Sequence, residues 1–305
     1  MRRRGQVSSL GEVQLIQRIS RRLRGNPSVL VGVGDDAAVL RETSKTHWLF
    51  ASDMLVEKVH FRRDDLAPQW IGWKALACNI SDIAAMGGVP RYAVIALGLT
   101  PATPVRVIDG LYAGLERCAR RFGVAVVGGD TVRAPCLIID VAILGTVQAV
   151  HLVLRSGAHV GDSIFVTGRL GGSLASGRHA TFTPRLREAQ WLVRHLPVQA
   201  MIDLSDGLAA DLWQLARASQ VTLQVCAEAI PRSRFATTLH QALMDGEDFE
   251  LLFTVPSRAV RRVPKTIGRV PITEIGRVIR RGASVELKEN DGQREVLIPA
   301  GFRHL

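Results

Sequence analysis

Residues 68–99 read PQWIGWKALACNISDIAAMGGVPRYAVIALGL, and they predict a helix followed directly by a strand. The helix is expected over 68–86, because proline is favoured in the first turn and Gly87-Gly88 ends the pattern. An apolar run rich in strand-forming residues then predicts a strand near 91–99. Helices and strands in alternation are typical of α/β proteins.

The same alternation extends over the rest of the chain. Upstream, strands interrupted by acidic turns are predicted at 29–40 and 47–56. The pattern restarts near residue 150, which predicts two domains, over residues 1–148 and 149–305. The remaining predicted elements are helix 104–122, strands 124–128 and 136–147, strand 162–168, helix 184–195, strand 199–204, helix 207–218, strand 221–226, helix 233–243, strand 249–255 and short C-terminal strands.

Composition fits a globular protein, with 47% hydrophobic residues and 28 glycines. No apolar run reaches the ~18 residues that a membrane span needs, so no membrane association is expected. The basic N-terminus lacks the features of a secretory signal and instead predicts an amphipathic helix. The four cysteines are far apart, which favours reduced thiols in a cytoplasmic protein over a zinc site or disulfides.

The formal net charge of +11 leaves two interpretations open. A basic nucleic-acid-binding protein is one alternative, and it predicts salt-sensitive binding without any need for acidic residues. The excess charge is spread as single arginines, however, and does not form one aromatic-studded patch. A basic surface would also attract a polyphosphate substrate. Charge alone does not decide between these interpretations, but the acidic motifs of the chain speak against the first, and we expect no nucleic-acid partner.

Six short acidic motifs recur beside glycine or serine, mostly at the ends of apolar strands. Carboxylates that meet at one point repel each other unless cations neutralise them. Mg²⁺ prefers oxygen ligands and keeps substrate phosphates in its shell, so the set predicts a site for several metal ions and phosphates. Each motif taken singly is also compatible with a turn or a helix cap. The motifs are GDD (34–36), SD (52–53), NISD (79–82), GGD (128–130), DLSD (203–206) and GED (246–248).

The NISD motif gives the strongest single indication of a cation. Asp82 and Asn79 are three residues apart and lie on one face of the predicted helix. The surrounding apolar residues predict that this face is buried, where an unpaired carboxylate is costly. Neither a GxxxxGK[ST] motif nor an HRD/DFG pair is present, which excludes a conventional P-loop or protein-kinase fold.

The order and content of the motifs resemble those of the thiamine-monophosphate kinase family, within the aminoimidazole ribonucleotide synthetase-like superfamily. The resemblance runs from about residue 10 to the C-terminal GFRHL. It implies an α/β (α+β-like) fold of two domains, a homodimer formed through the N-terminal sheets, and the reaction of ATP with thiamine monophosphate to give thiamine diphosphate and ADP. The matching motifs are VGVGDDAAVL, ASDMLVEKVHF, KALACNISDIAAMGGVP, VVGGDTVRAP, LRSGAHVGD, IDLSDGLAADL and GEDFELLFTV.

Positions that match the family's motifs imply a set of site residues. An arginine among them could bind phosphate oxygens through two hydrogen bonds, and a phenylalanine could stack on a heteroaromatic ring. The implied ligands of several Mg²⁺ ions are Asp36, Ser52, Asp53, Asp82, Asp130, Asp203 and Asp206. The implied ATP contacts are Gly129, Asp130, Arg155 and Ser205, and the implied contacts to thiamine monophosphate are His60, Glu247 and Phe302.

The chain departs from the family's pattern at three places. Ala51 stands where the family often has a hydroxyl residue, Met244-Asp245 stand where small residues are usual, and the segment 173–200 is short. None of these departures removes a carboxylate. A sister enzyme of the same superfamily, such as a selenophosphate synthetase or the purine-pathway synthetase, is a further alternative. Selenophosphate synthetases carry a reactive cysteine or selenocysteine near the N-terminus, and no cysteine precedes Cys78 here, which argues against that one.

Overall fold

The computed structural model describes residues 11–23 and 25–298. Helix α1 (Glu12–Ser20) begins the described part and confirms the helix predicted there. Phe302, an implied substrate contact, lies outside the described residues. None of the described helices is both long enough and apolar enough to cross a membrane.

The first half of the chain forms a six-stranded mixed sheet. Helices α2 (Pro68–Ala85) and α3 (Val105–Phe122) pack together over one face of it. The strand order is β1-β2-β3-β6-β4-β5, and every neighbouring pair is antiparallel except β4 and β5. The strands are β1 (Val29–Val31), β2 (Ala38–Arg41), β3 (Thr46–Val56), β4 (Val89–Leu99), β5 (Ala125–Arg133) and β6 (Ile138–Gln148).

Helix α2 is buried along most of its length, since it lies between the first sheet, α3 and the second half of the chain. Pro68 occupies the start of the helix, where its missing N–H costs nothing. Gly72 lets α3 approach closely, because a Cβ there would stand 1.9 Å from the carbonyl oxygen of Leu111. The chain leaves the helix through Gly87, whose φ of +73° favours glycine.

The second half of the chain forms an eight-stranded mixed sheet. Its order is β14-β13-β9-β12-β7-β10-β8, with β11 paired to β12. Four helices accompany it: α4 (Arg178–Thr181), α5 (Leu186–His195), α6 (Leu208–Ser219) and α7 (Leu239–Met244). The strands are β7 (Ser163–Thr167), β8 (Ala200–Asp203), β9 (Val221–Cys226), β10 (Leu251–Val255), β11 (Thr266–Ile267), β12 (Val270–Arg281), β13 (Ser284–Lys288) and β14 (Arg294–Val296).

Each sheet has its own apolar core, and a third cluster joins the two halves. That cluster packs Ala84 and Ala85 of α2 against Leu192 of α5 and Phe253 of β10. Two mixed sheets with packed helices confirm the α/β (α+β-like) class. The domain boundary at 148/149 stays a prediction.

The prediction for the fifth strand was too short. β5 continues from Ala125 to Arg133, whereas the sequence pattern ended it at residue 128. The GGD motif therefore lies inside a strand. The parallel partner β4 supplies hydrogen-bonding positions along this length. Gly129 permits the close approach, because a Cβ there would stand 1.8 Å from the carbonyl oxygen of Ile95.

The prediction for helix 233–243 was also wrong at its start. Helix α7 begins at Leu239, where the side chain of Thr238 and that of Gln241 form a capping box. Before it, Ser233 donates hydrogen bonds to the carbonyl oxygens of Leu170 (2.9 Å, backbone) and Gly171 (2.6 Å, side chain). These contacts hold the first residues of the predicted helix in a non-helical conformation.

Candidate active site

Carboxylates from three distant segments meet between the two halves of the chain. Asp36 lies two residues before the strand β2, Asp82 lies in the last turn of α2, and Asp203 ends β8. One oxygen of each carboxylate lies within 4.8 Å of the others. The fold thus brings together three of the implied metal ligands.

Burial raises the pKa of each of these carboxyl groups, and repulsion between carboxylates adds to the rise at Asp82 and Asp203. The pKa of Asp203 rises to about 8, mainly through burial and then through the charge of Asp36. Burial, followed by the charges of Asp53 and Asp203, raises the pKa of Asp82 well above its usual range. Burial also raises the pKa of Asp36, although Arg155 opposes this effect. The cluster therefore favours a cation or protons at neutral pH.

Asp53 adds a fourth charge to this cluster. It lies on β3 and pairs with Val141 on the sheet face that α2 covers. Its backbone N–H donates to the side-chain oxygen of Asn79 (3.2 Å), and Asn79 in turn donates to the carbonyl oxygen of Ala75 (3.0 Å). The two conspicuous residues of the NISD motif thus have different roles, because Asn79 fixes the strand while Asp82 faces the cluster.

The donor set fits a hard cation. Asp36 Oδ2 is buried and accepts no hydrogen bond from any residue in the described ranges. Ser81 donates to Asp203 Oδ2 at 2.5 Å, which leaves the other oxygen of that carboxylate for a further partner. Several oxygen ligands with excess negative charge are what Mg²⁺ requires. These residues could therefore hold one or more Mg²⁺ ions.

Arg155 links the cluster to the second half of the chain. Its guanidinium donates to Asp36 Oδ1 (2.6 Å) and to the side-chain oxygen of Gln214 (2.5 Å), and its backbone N–H donates to Asp35 Oδ2 (3.1 Å). The side chain is 16% exposed. A positive charge held beside the carboxylates at a partly open edge could bind phosphate oxygens as well.

Asp206 and Ser205 lie in the loop between β8 and α6. Gln214 donates to Asp206 Oδ2 at 3.2 Å, so Asp206 shares a partner with Arg155. The carbonyl oxygen of Ser205 accepts from the backbone N–H of Glu247 at 2.7 Å. This loop therefore brings an implied metal ligand next to an implied substrate contact.

His60 and Glu247, both implied substrate contacts, are joined by a residue that the sequence analysis did not single out. Lys74 donates to the backbone carbonyl of His60 (2.9 Å) and to Glu247 Oε1 (2.5 Å). The only sequence signal for Lys74 is a basic residue within an otherwise apolar stretch of α2.

The fold places Ser52 and Asp130 on the other face of the first sheet. Successive residues of a strand point to opposite faces, so Ser52 faces away from Asp53. Its hydroxyl donates to Asp140 Oδ1 at 2.9 Å. Asp130 lies beside Ala96 in the strand register, and Ala96 lies beside Asp140. The metal-binding roles of Ser52 and Asp130, and the ATP contacts of Gly129 and Asp130, stay predictions.

Sequence reasoning also missed Asp211 and Gln214 on α6. Asp211 is fully buried, and its two oxygens accept from Gln214 (3.2 Å) and from the backbone N–H of Asp206 (3.3 Å). A carboxylate in the first turn of a helix satisfies otherwise unpaired backbone N–H groups. Asp211, the last acidic residue of IDLSDGLAADL, was therefore a weak sequence signal for this hydrogen-bonded group.

The three departures from the family's pattern leave the cluster in place. Ala51 lies on β3. Asp245 accepts a hydrogen bond from the backbone N–H of Gly172 (2.8 Å) and so fixes the loop after α7. The short segment 173–200 still contains two helices, α4 and α5.

Without metal, the protein is expected to lose stability as pH rises. Asp203 has a folded-state pKa of about 8, against an ordinary value of 3.8. The folded state therefore binds more protons than the unfolded state between these values, and the free energy of unfolding falls with rising pH. We expect a loss of roughly 2–4 kcal/mol from pH 5 to pH 8 in a chelating buffer, from about 1.4 kcal/mol per pKa unit.

Urea titrations at several pH values, with chelator and with Mg²⁺, check this expectation. Mg²⁺ should stabilise the protein more at pH 8 than at pH 5, because the ion competes with protons. In the Asp203→Asn variant the pH slope should be shallower. A metal-free protein that becomes more stable from pH 5 to pH 8 would contradict the raised pKa.

Comparison with known proteins adds an independent result. Residues 34–147 match the family model described as AIR synthase related protein, N-terminal domain. Thiamine-monophosphate kinase of Rhodopirellula baltica is 36% identical over 93% of this chain and 94% of its own length. Thiamine-monophosphate kinase of Bacillus subtilis is 32% identical over 97% of this chain and 99% of its own length.

A solved structure gives the same relationship in three dimensions. It is described as AaThiL complexed with AMPPCP and TMP, and it superposes with a TM-score of 0.85 at 32% identity. The match covers 98% of this chain and 99% of that one. Similarity of sequence and structure therefore extends over both halves of the molecule.

Proposed function

The chain belongs to the thiamine-monophosphate kinase family, and from this premise we propose that it transfers the γ-phosphoryl group of ATP to thiamine monophosphate. The products are thiamine diphosphate and ADP. This reaction is the last step of thiamine diphosphate biosynthesis. The observation that carries the proposal is the convergence of Asp36, Asp82 and Asp203 beside Arg155. Such a cluster suits a reaction between two phosphate-bearing substrates, whose negative charges need neutralisation.

We propose that Mg²⁺ ions bind at this cluster. Asp36, Asp53, Asp82 and Asp203 would hold them. The buried Asp36 Oδ2, which has no hydrogen-bond partner among the residues that the structure describes, supports this assignment. The family resemblance adds Asp206 as a further ligand; it also implies Ser52 and Asp130, which lie on the other face of the first sheet. When bound, Mg²⁺ would neutralise charge on the ATP phosphates and on the transferred phosphoryl group.

The chain's own residues would bind and align the two substrates. Arg155 would donate to phosphate oxygens of ATP, with Gly129, Asp130 and Ser205 as further nucleotide contacts. His60, Glu247 and Phe302 would hold thiamine monophosphate. Its phosphate is a dianion near neutral pH and is already nucleophilic, so no strong general base is required. One of its oxygens attacks the γ-phosphorus in line while the bond to the β,γ-bridging oxygen breaks and ADP leaves.

We also propose a homodimer formed through the first sheet. The face of that sheet opposite α2 exposes several large apolar side chains, among them Phe50 (48%), Met54 (53%), Tyr92 (47%) and Val94 (43%). A contiguous apolar face of this kind is typical of an interface.

We also propose a cytoplasmic location, because all four cysteines are free thiols.

A charge placed on this face is expected to separate the subunits. Phe50→Glu combined with Tyr92→Glu should convert the protein to a monomer, because a buried unpaired carboxylate is costly. Analytical ultracentrifugation at micromolar concentration measures the change. The exposed Val105, on α3, gives a matched control as Val105→Glu. A wild-type protein that sediments as a monomer would exclude this interface.

ADP release by the purified protein, with Mg²⁺ and ATP and with or without thiamine monophosphate, tests the proposed reaction. Chromatography should show one thiamine diphosphate for each ADP. ADP release that does not depend on thiamine monophosphate, or the absence of thiamine diphosphate, would overturn the assignment of the acceptor.

A further inference from the structure

Lys74 is a charged residue in an otherwise apolar setting. It lies on α2, and its side chain is completely buried. Burial of an ammonium group, like that of other ions, costs on the order of several kcal/mol unless charged and polar partners compensate. The partners of Lys74 should therefore explain its presence.

The ammonium of Lys74 has three partners from separate parts of the chain. It donates to Glu247 Oε1 at 2.5 Å and to the backbone carbonyl of His60 at 2.9 Å, and it lies 3.4 Å from His179 Nδ1. Glu247 follows α7, His60 follows β3, and His179 belongs to α4. One side chain thus fixes three segments relative to α2.

Glu247 itself is held in an unusual backbone conformation. Its φ is +52°, a backbone angle that residues other than glycine rarely adopt. Three contacts maintain it: its N–H donates to Ser205, the hydroxyl of Ser173 donates to its carbonyl oxygen (2.6 Å), and its carboxylate pairs with Lys74. Such conformations persist where the surroundings over-determine them, and they cluster at ligand sites.

The carboxylate of Glu247 remains charged and accessible in this network. Burial opposes its ionisation, but His179 and Lys74 outweigh that effect through hydrogen bonds and charge and keep its pKa below the ordinary value. The side chain is 22% exposed, whereas that of Lys74 is not exposed at all. Of the pair, only Glu247 can therefore meet a ligand directly.

Helix α2 also carries Asp82, one member of the carboxylate cluster. Lys74 and Asp82 are eight residues apart, with Cys78 midway, and positions four residues apart lie on one helix face. The helix rise separates Lys74 from Asp82 by about 12 Å along the axis. A rigid helix therefore sets the distance between Glu247 and the carboxylate cluster.

We propose that Lys74 is a positioning residue for the acceptor substrate, which fixes the carboxylate of Glu247 and the main chain at His60 at a set distance from the metal cluster. This inference rests on the proposed function, in which His60 and Glu247 hold thiamine monophosphate. Lys74 acts through these two residues and does not touch the substrate.

The substitution Lys74→Met removes the charge and keeps a long apolar side chain. The KM for thiamine monophosphate should rise about 10- to 100-fold, since small displacements of binding groups have effects of this size. The KM for ATP should stay within about twofold, because the nucleotide contacts are elsewhere. Lys265→Met, at an exposed lysine, is the matched control and should change neither constant. If Lys74→Met does not fold, Lys74→Gln gives the same comparison.

A double-mutant cycle with Glu247→Gln separates positioning from a general structural role. Because Lys74 acts through both Glu247 and His60, adding Lys74→Met to Glu247→Gln should raise the KM for thiamine monophosphate by a clearly smaller factor than Lys74→Met does in the wild-type background. Multiplied effects of the two substitutions, or an unchanged KM in Lys74→Met, would overturn the inference.

The wild-type protein separates this inference from the proposed function. Calorimetry with thiamine monophosphate in the presence of Mg²⁺ and a non-hydrolysable ATP analogue measures binding of the acceptor directly. A wild-type protein that neither binds nor phosphorylates thiamine monophosphate overturns the proposed function, and the inference with it. A wild-type protein that does both, together with an unaffected Lys74→Met variant, overturns the inference alone.

Discussion

Replacing Asp82 with asparagine is expected to reduce turnover by at least about a thousandfold and to leave the metal-free protein as stable as the wild type or more stable. Asp82 lies within 4.8 Å of Asp36 and Asp203, measured between carboxylate oxygens. Removal of one negative charge weakens metal binding, and charge neutralisation supplies much of the catalysis in phosphoryl transfer. In the absence of metal, the same change removes a carboxyl group whose pKa is raised well above its usual range by burial and then by the charges of Asp53 and Asp203.

Two measurements on the same variant check the two halves of this prediction. Steady-state ADP release should be nearly abolished, and the rise in unfolding temperature that Mg²⁺ gives the wild type should be much smaller. The exposed Asp109, on α3, provides the control Asp109→Asn, which should behave like the wild type. Near-normal turnover of Asp82→Asn would exclude the carboxylate cluster as the metal site.

Replacing Arg155 with methionine is expected to lower the free energy of unfolding by about 3–5 kcal/mol and to weaken ATP binding. Arg155 forms an ion pair of 2.6 Å with Asp36, whose side chain has no exposed surface. Removal of one partner of a buried ion pair leaves an uncompensated charge, which is the main source of such losses. The substitution also removes the side-chain hydrogen bond to Gln214 of α6 (2.5 Å).

Urea titration in chelating buffer measures the loss of stability. Arg155→Lys should lie between the wild type and Arg155→Met, because lysine restores the charge but not the fork of donors that reaches two partners. The exposed Arg106 gives the control Arg106→Met, for which no loss is expected. An Arg155→Met protein with wild-type stability would mean that Asp36 does not need this partner.

The sequence predicted most elements well because their patterns are local. Helix α2 was expected over 68–86 and is Pro68–Ala85, and α3 was expected over 104–122 and is Val105–Phe122. Proline and glycine at the helix ends and the apolar periodicity within them depend only on neighbours in the chain. The boundaries of β5 and α7 were predicted wrongly. Pairing with β4 extends β5, and the capping box of Thr238 and Gln241 sets the start of α7.

The composition of the site was also present in the sequence. The motifs contain the acidic residues, and the order of the motifs indicates the family. The sequence did not indicate which acids converge: Asp36, Asp82 and Asp203 do, while Ser52 and Asp130 lie on the other face of the first sheet. Strand register alone decides the face, since side chains alternate with a period of two.

The sequence by itself therefore determined the family, the α/β fold class and the residue types of the site. Only the tertiary structure decided the partners of Lys74, which lie 105 residues away at His179 and 173 residues away at Glu247. It also decided the ion pair between Asp36 and Arg155, at a separation of 119 residues. Contacts over such separations form when packed elements close long loops, and no local pattern of residues records them.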